Sequence, residues 1–379
     1  EIVFGDWSSD VCSSDLGRKF TSGKECLPCI ITMGDMIKVT RKPGCDPDKI
    51  AFFMPGGSGP CRFGQYNCSQ KLALKDEGLH NIPVISPSQD DCFYQDFKQF
   101  RRDPTRLAWD GIAAVDILAK ARLKTRPHEV SPGRTDKVYH QSLDELCKLI
   151  ESDPSEKQIE RLMGVLADRF KAVETAPRDL PRIGIVGEIY VRSHDFANND
   201  IVRQLETIGA EVAVASFSEW MYYTNITRKW QAQRDGNWKQ LIQNVIKDFV
   251  QHRIEQRLAR PFEAVLGRIH EPPIAEVLEL ADRYMHKSFE GEAVLSIGKT
   301  IEFHHDGCDA VINVMPFTCM PSTIVGGIMK KISTDLDDMP TLSLSYDGQQ
   351  DPTLQTRLEA FVHQARAFRR RRAGQAHPP

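Results

Sequence analysis

Apolar runs without polar alternation recur along the chain and predict strands that are buried on both faces. Runs of this kind are typical of parallel sheets, which are covered by helices on both sides. The predicted strands lie at residues 50–54, 83–87, 182–188, 210–215, 309–316 and 341–346. Apolar residues at three- and four-residue spacing predict helices between them. The strongest such pattern covers residues 238–258, where nine apolar residues share one face.

The alternation of strands and helices predicts an α/β fold with parallel sheets and additional helices. A proline-containing segment at residues 176–181 divides the pattern into two similar parts. We therefore expect a first α/β lobe over residues 17–176 and a second over residues 177–368. Four consecutive arginines open the last stretch, residues 369–379, which we expect to be a disordered basic tail.

The N-terminal residues have a different origin from the rest of the chain. Residues 6–16 back-translate directly to the constant part of a common sequencing adapter. We interpret residues 1–16 as a non-native scar of a sequencing library and exclude them, as one excludes a tag. Cys12 is therefore not a ligand candidate, and we expect the native N-terminal portion to be missing.

Charge and hydropathy narrow the class of protein. The formal net charge of −3 becomes +1 once the four acidic residues of the scar are left out. This near-neutral balance argues against nucleic acid and membrane surfaces as partners. No apolar run approaches the ~20 residues of a membrane-spanning helix. Ten cysteines in a chain of this size indicate thiols or metal ligands more than a disulfide framework, so we expect a cytoplasmic protein.

Cysteines stand where an α/β sheet presents its ligands. Cys61 follows the first predicted strand after a glycine-rich turn, and Cys319 follows the strand at 309–316 in a matching strand–Met-Pro–loop arrangement. Cys26 and Cys29 form a Cys-x-Pro-Cys pair at a predicted helix start. We expect these cysteines to converge on one metal cluster, because thiolates select zinc, copper(I) or iron–sulfur clusters.

Other interpretations of the cysteines remain open. The Cys26 and Cys29 pair also resembles a thiol-redox motif, although no strand precedes it as that motif requires. Cys61 and Cys319 could each be buried and inert, as free cysteines often are. Glu188 comes after the apolar strand residues Ile183–Val186, at a switch-point position, and is a further candidate for shaping the site. His304 and His305 follow another predicted strand, and either could serve as an acid/base group or a ligand, although surface or structural histidines are commoner.

Several motifs resemble those of a known family. The motifs are Glu25-Cys26-Leu27-Pro28-Cys29, Phe53-Met54-Pro55-Gly56-Gly57-Ser58-Gly59-Pro60-Cys61-Arg62-Phe63-Gly64-Gln65-Tyr66, Gly187-Glu188-Ile189-Tyr190, Pro316-Phe317-Thr318-Cys319-Met320-Pro321 and Tyr346-Asp347-Gly348-Gln349. Over most of residues 17–366 the chain resembles acyl-CoA dehydratase activase-related proteins. Their C-terminal part is similar to the iron–sulfur subunits of 2-hydroxyacyl-CoA (2-hydroxyglutaryl-CoA) dehydratases.

The resemblance implies flavodoxin- or Rossmann-like lobes with an iron–sulfur cluster between them, either [4Fe–4S] or a double cubane. By motif, Cys26, Cys61 and Cys319 would be ligands, and Cys29 a fourth. The implied partner is an ATP-hydrolysing activase, in cis or in trans, that donates a low-potential electron. The implied reaction is radical dehydration of a 2-hydroxyacyl-CoA, or electron transfer alone. The alternatives are a non-catalytic regulatory domain of a fused activase and a thiol-redox protein.

Overall fold

The computed structural model describes residues 13–57, 61–87, 105–269, 271–349 and 351–376. Residues 1–12 of the interpreted scar, including Cys12, lie outside the described residues. So do residues 58–60 of the glycine-rich turn and residues 377–379 of the expected tail.

The described chain alternates helices with six strands. The α-helices are α1 (Ser13–Arg18), α2 (Leu27–Thr40), α3 (Tyr66–Asp76), α4 (Thr105–Thr125), α5 (Arg134–Glu151), α6 (Glu156–Lys171), α7 (Ile189–Ser193), α8 (Ile201–Ile208), α9 (Phe217–Arg234), α10 (Trp238–Ala259), α11 (Glu263–Leu266), α12 (Ile274–Asp282), α13 (Glu292–His305), α14 (Met320–Asp335) and α15 (Leu354–Ala376). The strands are β1 (Phe52–Phe53), β2 (Val84–Ile85), β3 (Arg182–Gly187), β4 (Glu211–Val214), β5 (Ala310–Pro316) and β6 (Thr341–Tyr346). Short 3-10 helices occupy Pro47–Lys49, Arg62–Gln65, Arg126–His128 and Arg260–Phe262.

Four strands form one parallel sheet in the order β4–β3–β5–β6. The apolar runs of β3 and β5 place Ile183, Ile185, Val311 and Ile312 in full burial, because helices cover both faces of the sheet. The α/β fold with parallel sheets and additional helices that the sequence predicts is therefore confirmed.

The strand order creates a switch point between β3 and β5. From β3 the chain moves outward to β4 on one side, whereas from β5 it moves outward to β6 on the other. In open α/β sheets a crevice forms beyond the carboxyl ends of the two strands at such a point, and ligands bind there. Here those carboxyl ends are Gly187 and Pro316.

A second, smaller sheet contains only β1 and β2, which pair in parallel. The prediction that the strand at 50–54 is buried on both faces is wrong: Phe53 is half exposed, and Ala51 is exposed. The physical reason is that a two-stranded sheet lacks neighbours to cover its faces. Its inner side packs on a separate apolar cluster that contains Met54, Tyr66 and Val84.

Most of the described helices pack around a single apolar cluster. It joins Leu118 of α4 and Phe170 of α6 to Val311 of β5 and Val294 of α13. Helices before residue 176 and strands after it therefore share buried contacts. The opposite face of the sheet is covered by α8, α15 and the side of α2 that carries Ile31.

The described end of the interpreted scar is helical. In α1, Leu16 is buried, and the helix lies against α2. The approach is close at two glycines: a Cβ on Gly34 would lie 1.8 Å from the carbonyl oxygen of Ser13, and one on Gly17 would lie 1.9 Å from that of Ile30. Only residues without a side chain allow the two backbones to approach this closely.

The expectation of a disordered tail is wrong for residues 369–376. Residues 369–376 continue α15 instead of leaving the fold. Arg369 and Arg372 pair with the carboxylate of Asp309, whose side chain is fully buried, at 3.2 Å each. Arg372 also donates to the backbone carbonyl oxygens of Gly307 and Cys308. These contacts hold Arg369 and Arg372 against the protein, because a buried carboxylate requires charged partners.

A cluster of ion pairs connects α4, α5 and α8. Arg126 is almost fully buried and contacts Glu206 at 2.7 Å and Asp136 at 2.8 Å. Arg122 and Arg203 also pair with Asp136. Burial alone would raise the pKa of Asp136, but the hydrogen bonds from these three arginines outweigh that effect and hold it well below its usual value.

Within the ranges that the structure describes, no helix combines the length and the apolar character needed to cross a membrane.

Candidate metal centre

Three of the predicted cysteines occupy the same kind of position, immediately before a helix. Cys26 is the N-cap residue of α2, Cys319 is the N-cap residue of α14, and Cys61 precedes the 3-10 turn that leads into α3. The sequence produces this geometry because each cysteine is followed by residues that begin a helix, with Pro28 and Pro321 in the first turns of α2 and α14. Unpaired backbone N–H groups at a helix start favour a thiolate.

Arg62 connects the loops that carry these three cysteines. Its guanidinium Nη1 donates to the carbonyl oxygen of Lys24 at 2.5 Å and to the hydroxyl Oγ1 of Thr318 at 3.2 Å. Arg62 itself follows Cys61, Lys24 lies two residues before Cys26, and Thr318 directly precedes Cys319. One side chain therefore links segments that are 38 and 256 residues apart along the chain.

The electrostatics of Cys61 show that the three thiols share one neighbourhood. Burial raises the pKa of the Cys61 thiol to about 12, although part of its surface is open to solvent. Repulsion from Glu292, Cys26 and Cys319 contributes to this increase in the pKa. Coulomb interactions weaken with distance, so the three thiols lie in one region of the molecule. Arg62 gives the geometric link between their loops, and convergence of the thiols on one metal cluster stays a prediction.

Cys26 and Cys29 lie in the buried part of this region. Burial raises the pKa of Cys26, opposed by a hydrogen bond with the hydroxyl of Tyr66. Burial also raises the pKa of Cys29 to about 12, and Cys26 adds to the effect. Cys29 is in the first turn of α2 with 2% of its surface exposed, so it lies behind Cys26 in the apolar cluster of the small sheet.

Two glutamates meet at the switch point of the large sheet. Glu188 directly follows β3 and caps α7 by accepting a hydrogen bond from the Val191 N–H at 2.8 Å. Glu292 begins α13 and accepts from the Ile189 N–H at 3.1 Å. Burial raises the pKa of both carboxyl groups, that of Glu292 to about 8, where the proximity of Glu188 contributes as well.

These carboxyl groups belong to the same site as the cysteines. Glu188 and Glu292 both raise the pKa of the Cys319 thiol, for which burial is the main cause. Cys26 is influenced by Glu188, and Cys61 by Glu292. The switch-point position that the sequence suggests for Glu188 is thus consistent with the strand order.

The residue before Cys319 has a strained backbone. Thr318 has a φ of +65°, which a β-branched residue rarely adopts. Such conformations cost on the order of 1–3 kcal/mol and persist only where surrounding contacts impose them. Arg62 supplies one of those contacts through the Thr318 hydroxyl. This backbone conformation turns the chain from β5 into α14, with Cys319 at the start of the helix.

The donors at this site are soft sulfur atoms on three separate loops, which select zinc, copper(I) or iron–sulfur clusters. Among the described residues, no three His, Cys, Asp or Glu side chains form a group that could hold a metal ion. A metal cluster at these thiols therefore stays a prediction.

Sequence reasoning missed three contributors to the site: Arg62, Tyr66 and Glu292. The first two lie inside a quoted motif, but nothing in the pattern shows what they contact. Glu292 was missed because the segment before His304 was expected to be a strand. That prediction is wrong, since both His304 and His305 end helix α13.

The remaining described cysteines lie apart from this grouping. Cys45, Cys68, Cys147 and Cys308 are free thiols. Cys68 and Cys147 are exposed on α3 and α5, while Cys308 is fully buried before β5. Burial raises the pKa of Cys308 to about 12.

A cavity of about 280 Å³ opens at the carboxyl end of β6, next to the loop that leads to Cys319. Phe317, Tyr346 and Arg357 are among its lining residues. Its position at the edge of a parallel sheet is typical of ligand sites in α/β proteins.

No protein-family model matches this sequence. No curated protein matches it either.

Proposed function

We propose that the chain binds an iron–sulfur cluster, [4Fe–4S] or a double cubane, through Cys26, Cys61 and Cys319. The observation that supports the proposal is that Arg62, next to Cys61, contacts the loops that carry Cys26 and Cys319, which are distant along the chain. Cys29, one turn behind Cys26, is the candidate for a further ligand. A cysteine ligates a metal as the thiolate and not as the thiol. Burial raises the pKa of these three thiols, so the positive charge of the metal would have to drive their deprotonation.

When bound, the cluster would accept one low-potential electron from an ATP-hydrolysing activase, in cis or in trans. The residues of this chain would form the environment of the cluster. Arg62 ties the ligand loops together, and backbone N–H groups at the starts of α2 and α14 face the sulfur donors. Glu188 and Glu292 bring two carboxyl groups to the site, and burial raises the pKa of both.

The proposed wider role is in the 2-hydroxyacyl-CoA dehydratase and activase system, in the cytoplasm. The eight described cysteines are free thiols, which suits a reducing compartment. The cavity lined by Phe317, Tyr346 and Arg357 lies beside the Cys319 loop and is where an acyl-CoA would approach for radical dehydration. Electron transfer without dehydration uses the same cysteine site and leaves this cavity without a role.

A thiol-redox function finds less support in the geometry. A redox-active Cys-x-x-Cys pair needs an accessible thiol with a lowered pKa. Cys26 and Cys29 are 7% and 2% exposed, and burial raises the pKa of both thiols. A purely regulatory domain gives no reason for Arg62 to hold the loops of Cys26 and Cys319 next to Cys61.

Anaerobic purification followed by iron and sulfide analysis tests the proposal. We expect brown protein with a low-temperature electron paramagnetic resonance signal after reduction. Each of Cys26→Ser, Cys61→Ser and Cys319→Ser should lose most of the bound iron. The matched control is Cys147→Ser, an exposed cysteine on α5 that should keep it.

Far-UV circular dichroism of each variant separates loss of the cluster from loss of the fold. Full iron retention in all three site variants would contradict the proposal. Iron-free wild-type protein in which only Cys26→Ser and Cys29→Ser abolish disulfide reduction would instead identify a thiol-redox protein. Iron-free protein without thiol activity would identify a regulatory domain.

A further inference from the structure

Helix α10 exposes an apolar stripe to solvent. The stripe consists of six large side chains with exposed fractions between 45% and 71%: Trp238, Ile242, Val245, Ile246, Phe249 and Val250. At about 100° per residue they cover an arc of roughly 140°. An arc of this width normally faces a protein core. Contiguous exposed apolar patches mark interaction sites more often than single exposed residues do.

The opposite face of the helix explains why the stripe points outward. Asp248 pairs with Lys229 at 2.6 Å, and the side chain of Asn225 donates to Gln251 at 2.6 Å. These contacts fasten the polar face of α10 to α9. The helix therefore presents its polar side to the protein and its apolar side to solvent, the reverse of the usual arrangement.

Only the C-terminal half of α10 contributes to the core. Ile254 and Leu258 are 5% and 2% exposed and join the main apolar cluster. The stripe ends before them, at Val250. The single apolar face that the sequence pattern indicates over 238–258 is thus divided into a packed half and an exposed half.

We propose that the stripe is the contact surface for a second copy of this chain, through antiparallel pairing of two α10 helices. The exposed area of the stripe is large enough for a dimer interface. The six side chains present roughly 600 Å² per chain, or about 1,200 Å² for two copies, the lower bound of specific interfaces. Closed two-fold dimers are the commonest oligomers, and they require a self-complementary surface.

The order of side-chain sizes along the stripe is self-complementary. The aromatic rings of Trp238 and Phe249 lie near its two ends, and smaller branched side chains lie between them. In an antiparallel pair, Trp238 of one chain faces Phe249 of the other. Ile242 likewise faces Val245 across the two-fold axis. Each ring then meets a ring, and the branched residues pack at the centre.

Sedimentation velocity of the full 379-residue chain tests the proposal. Wild-type protein should sediment as a dimer at micromolar concentrations and above. Ile242→Glu and Val245→Lys should each be monomeric, because each buries unpaired charges at the dimer centre. Mixing the two variants should restore a dimer, since the introduced glutamate then faces the introduced lysine.

The matched control is Leu72→Glu, a similarly exposed apolar residue on α3, which should leave the dimer unchanged. A wild-type monomer at all concentrations overturns the proposal and points to another protein or another segment of the polypeptide as the occupant. A dimer that survives both single substitutions also overturns it. Failure of the mixture to dimerise overturns the antiparallel register, whereas recovery supports it. Circular dichroism confirms that each variant remains folded.

Discussion

Gly187→Ala should destabilise the protein strongly. Gly187 ends β3 at the switch point and has a φ of +112°, a backbone conformation that alanine rarely adopts. A Cβ at this position would lie 2.0 Å from the carbonyl oxygen of Val314 in the neighbouring strand β5. Both partners are backbone in the middle of the fold, so no flexible side chain can move aside.

The structure sets the size of the effect. A positive φ costs a residue with a side chain about 1–2 kcal/mol. Relief of the clash requires the ends of β3 and β5 to separate, which breaks the hydrogen bond from the Glu188 N–H to the Val314 carbonyl oxygen at 3.0 Å. A hydrogen bond of this kind contributes about 1 kcal/mol. We therefore expect a loss of roughly 3 kcal/mol, a large share of the ~5–15 kcal/mol of a typical domain.

Urea denaturation followed by circular dichroism measures the change. The matched control is Gly164→Ala in α6, where an added Cβ meets nothing within 4 Å. That substitution should stabilise the protein by about 0.5–1 kcal/mol, because alanine favours a helix. A Gly187→Ala midpoint equal to or above that of the wild type would refute the reasoning about the strand contact.

Three further variants follow from the same physical arguments, and the stability of each is measured by chemical denaturation. Asp136 has a lowered pKa, so its contribution to stability is present above its unfolded value of ~3.9 and is lost as the pH falls through the lower folded value. Asp136→Asn should therefore cost about 3 kcal/mol at pH 7 and flatten the acid limb of the stability curve; an unchanged acid limb would contradict the three-arginine arrangement. Joint replacement Arg369→Ala and Arg372→Ala should cost about 3 kcal/mol, since it leaves the buried Asp309 carboxylate without a cation; no loss would show that the end of α15 is not held. Thr318→Gly should stabilise the fold by about 1 kcal/mol through release of backbone strain, and a destabilised variant would show that its hydroxyl contact matters more.

Much of the α/β architecture can be predicted from the local pattern of apolar and polar residues. The strands at 182–188 and 309–316 were identified because continuous apolar runs fit only a sheet covered on both faces. The placement of Cys61 and Cys319 after strands was accessible for the same reason, since strand ends and turn residues can be read along the chain. The short strand β1 shows the limit, because the same apolar run was compatible with a covered sheet and with an exposed pair.

Contacts between segments that are distant along the chain could not be predicted from the local pattern. The link from Arg62 to Thr318 and the meeting of Glu188 with Glu292 depend on which strands become neighbours. The direction in which α10 faces was also hidden. An apolar stripe indicates a buried face, but the polar contacts of Asp248 and Gln251 with α9 turned that stripe outward.

The sequence by itself determined the local elements: where strands and helices form, and that cysteines follow turns at their ends. Local backbone preferences and hydrophobic periodicity act over a few residues, so they are legible in the order of amino acids. Only the tertiary structure decided the strand order β4–β3–β5–β6, the link from Arg62 to the loops of Cys26 and Cys319, and the exposed face of α10. Those outcomes depend on which of many compatible surfaces pack together, and that choice minimises the free energy of the whole chain rather than of any one segment.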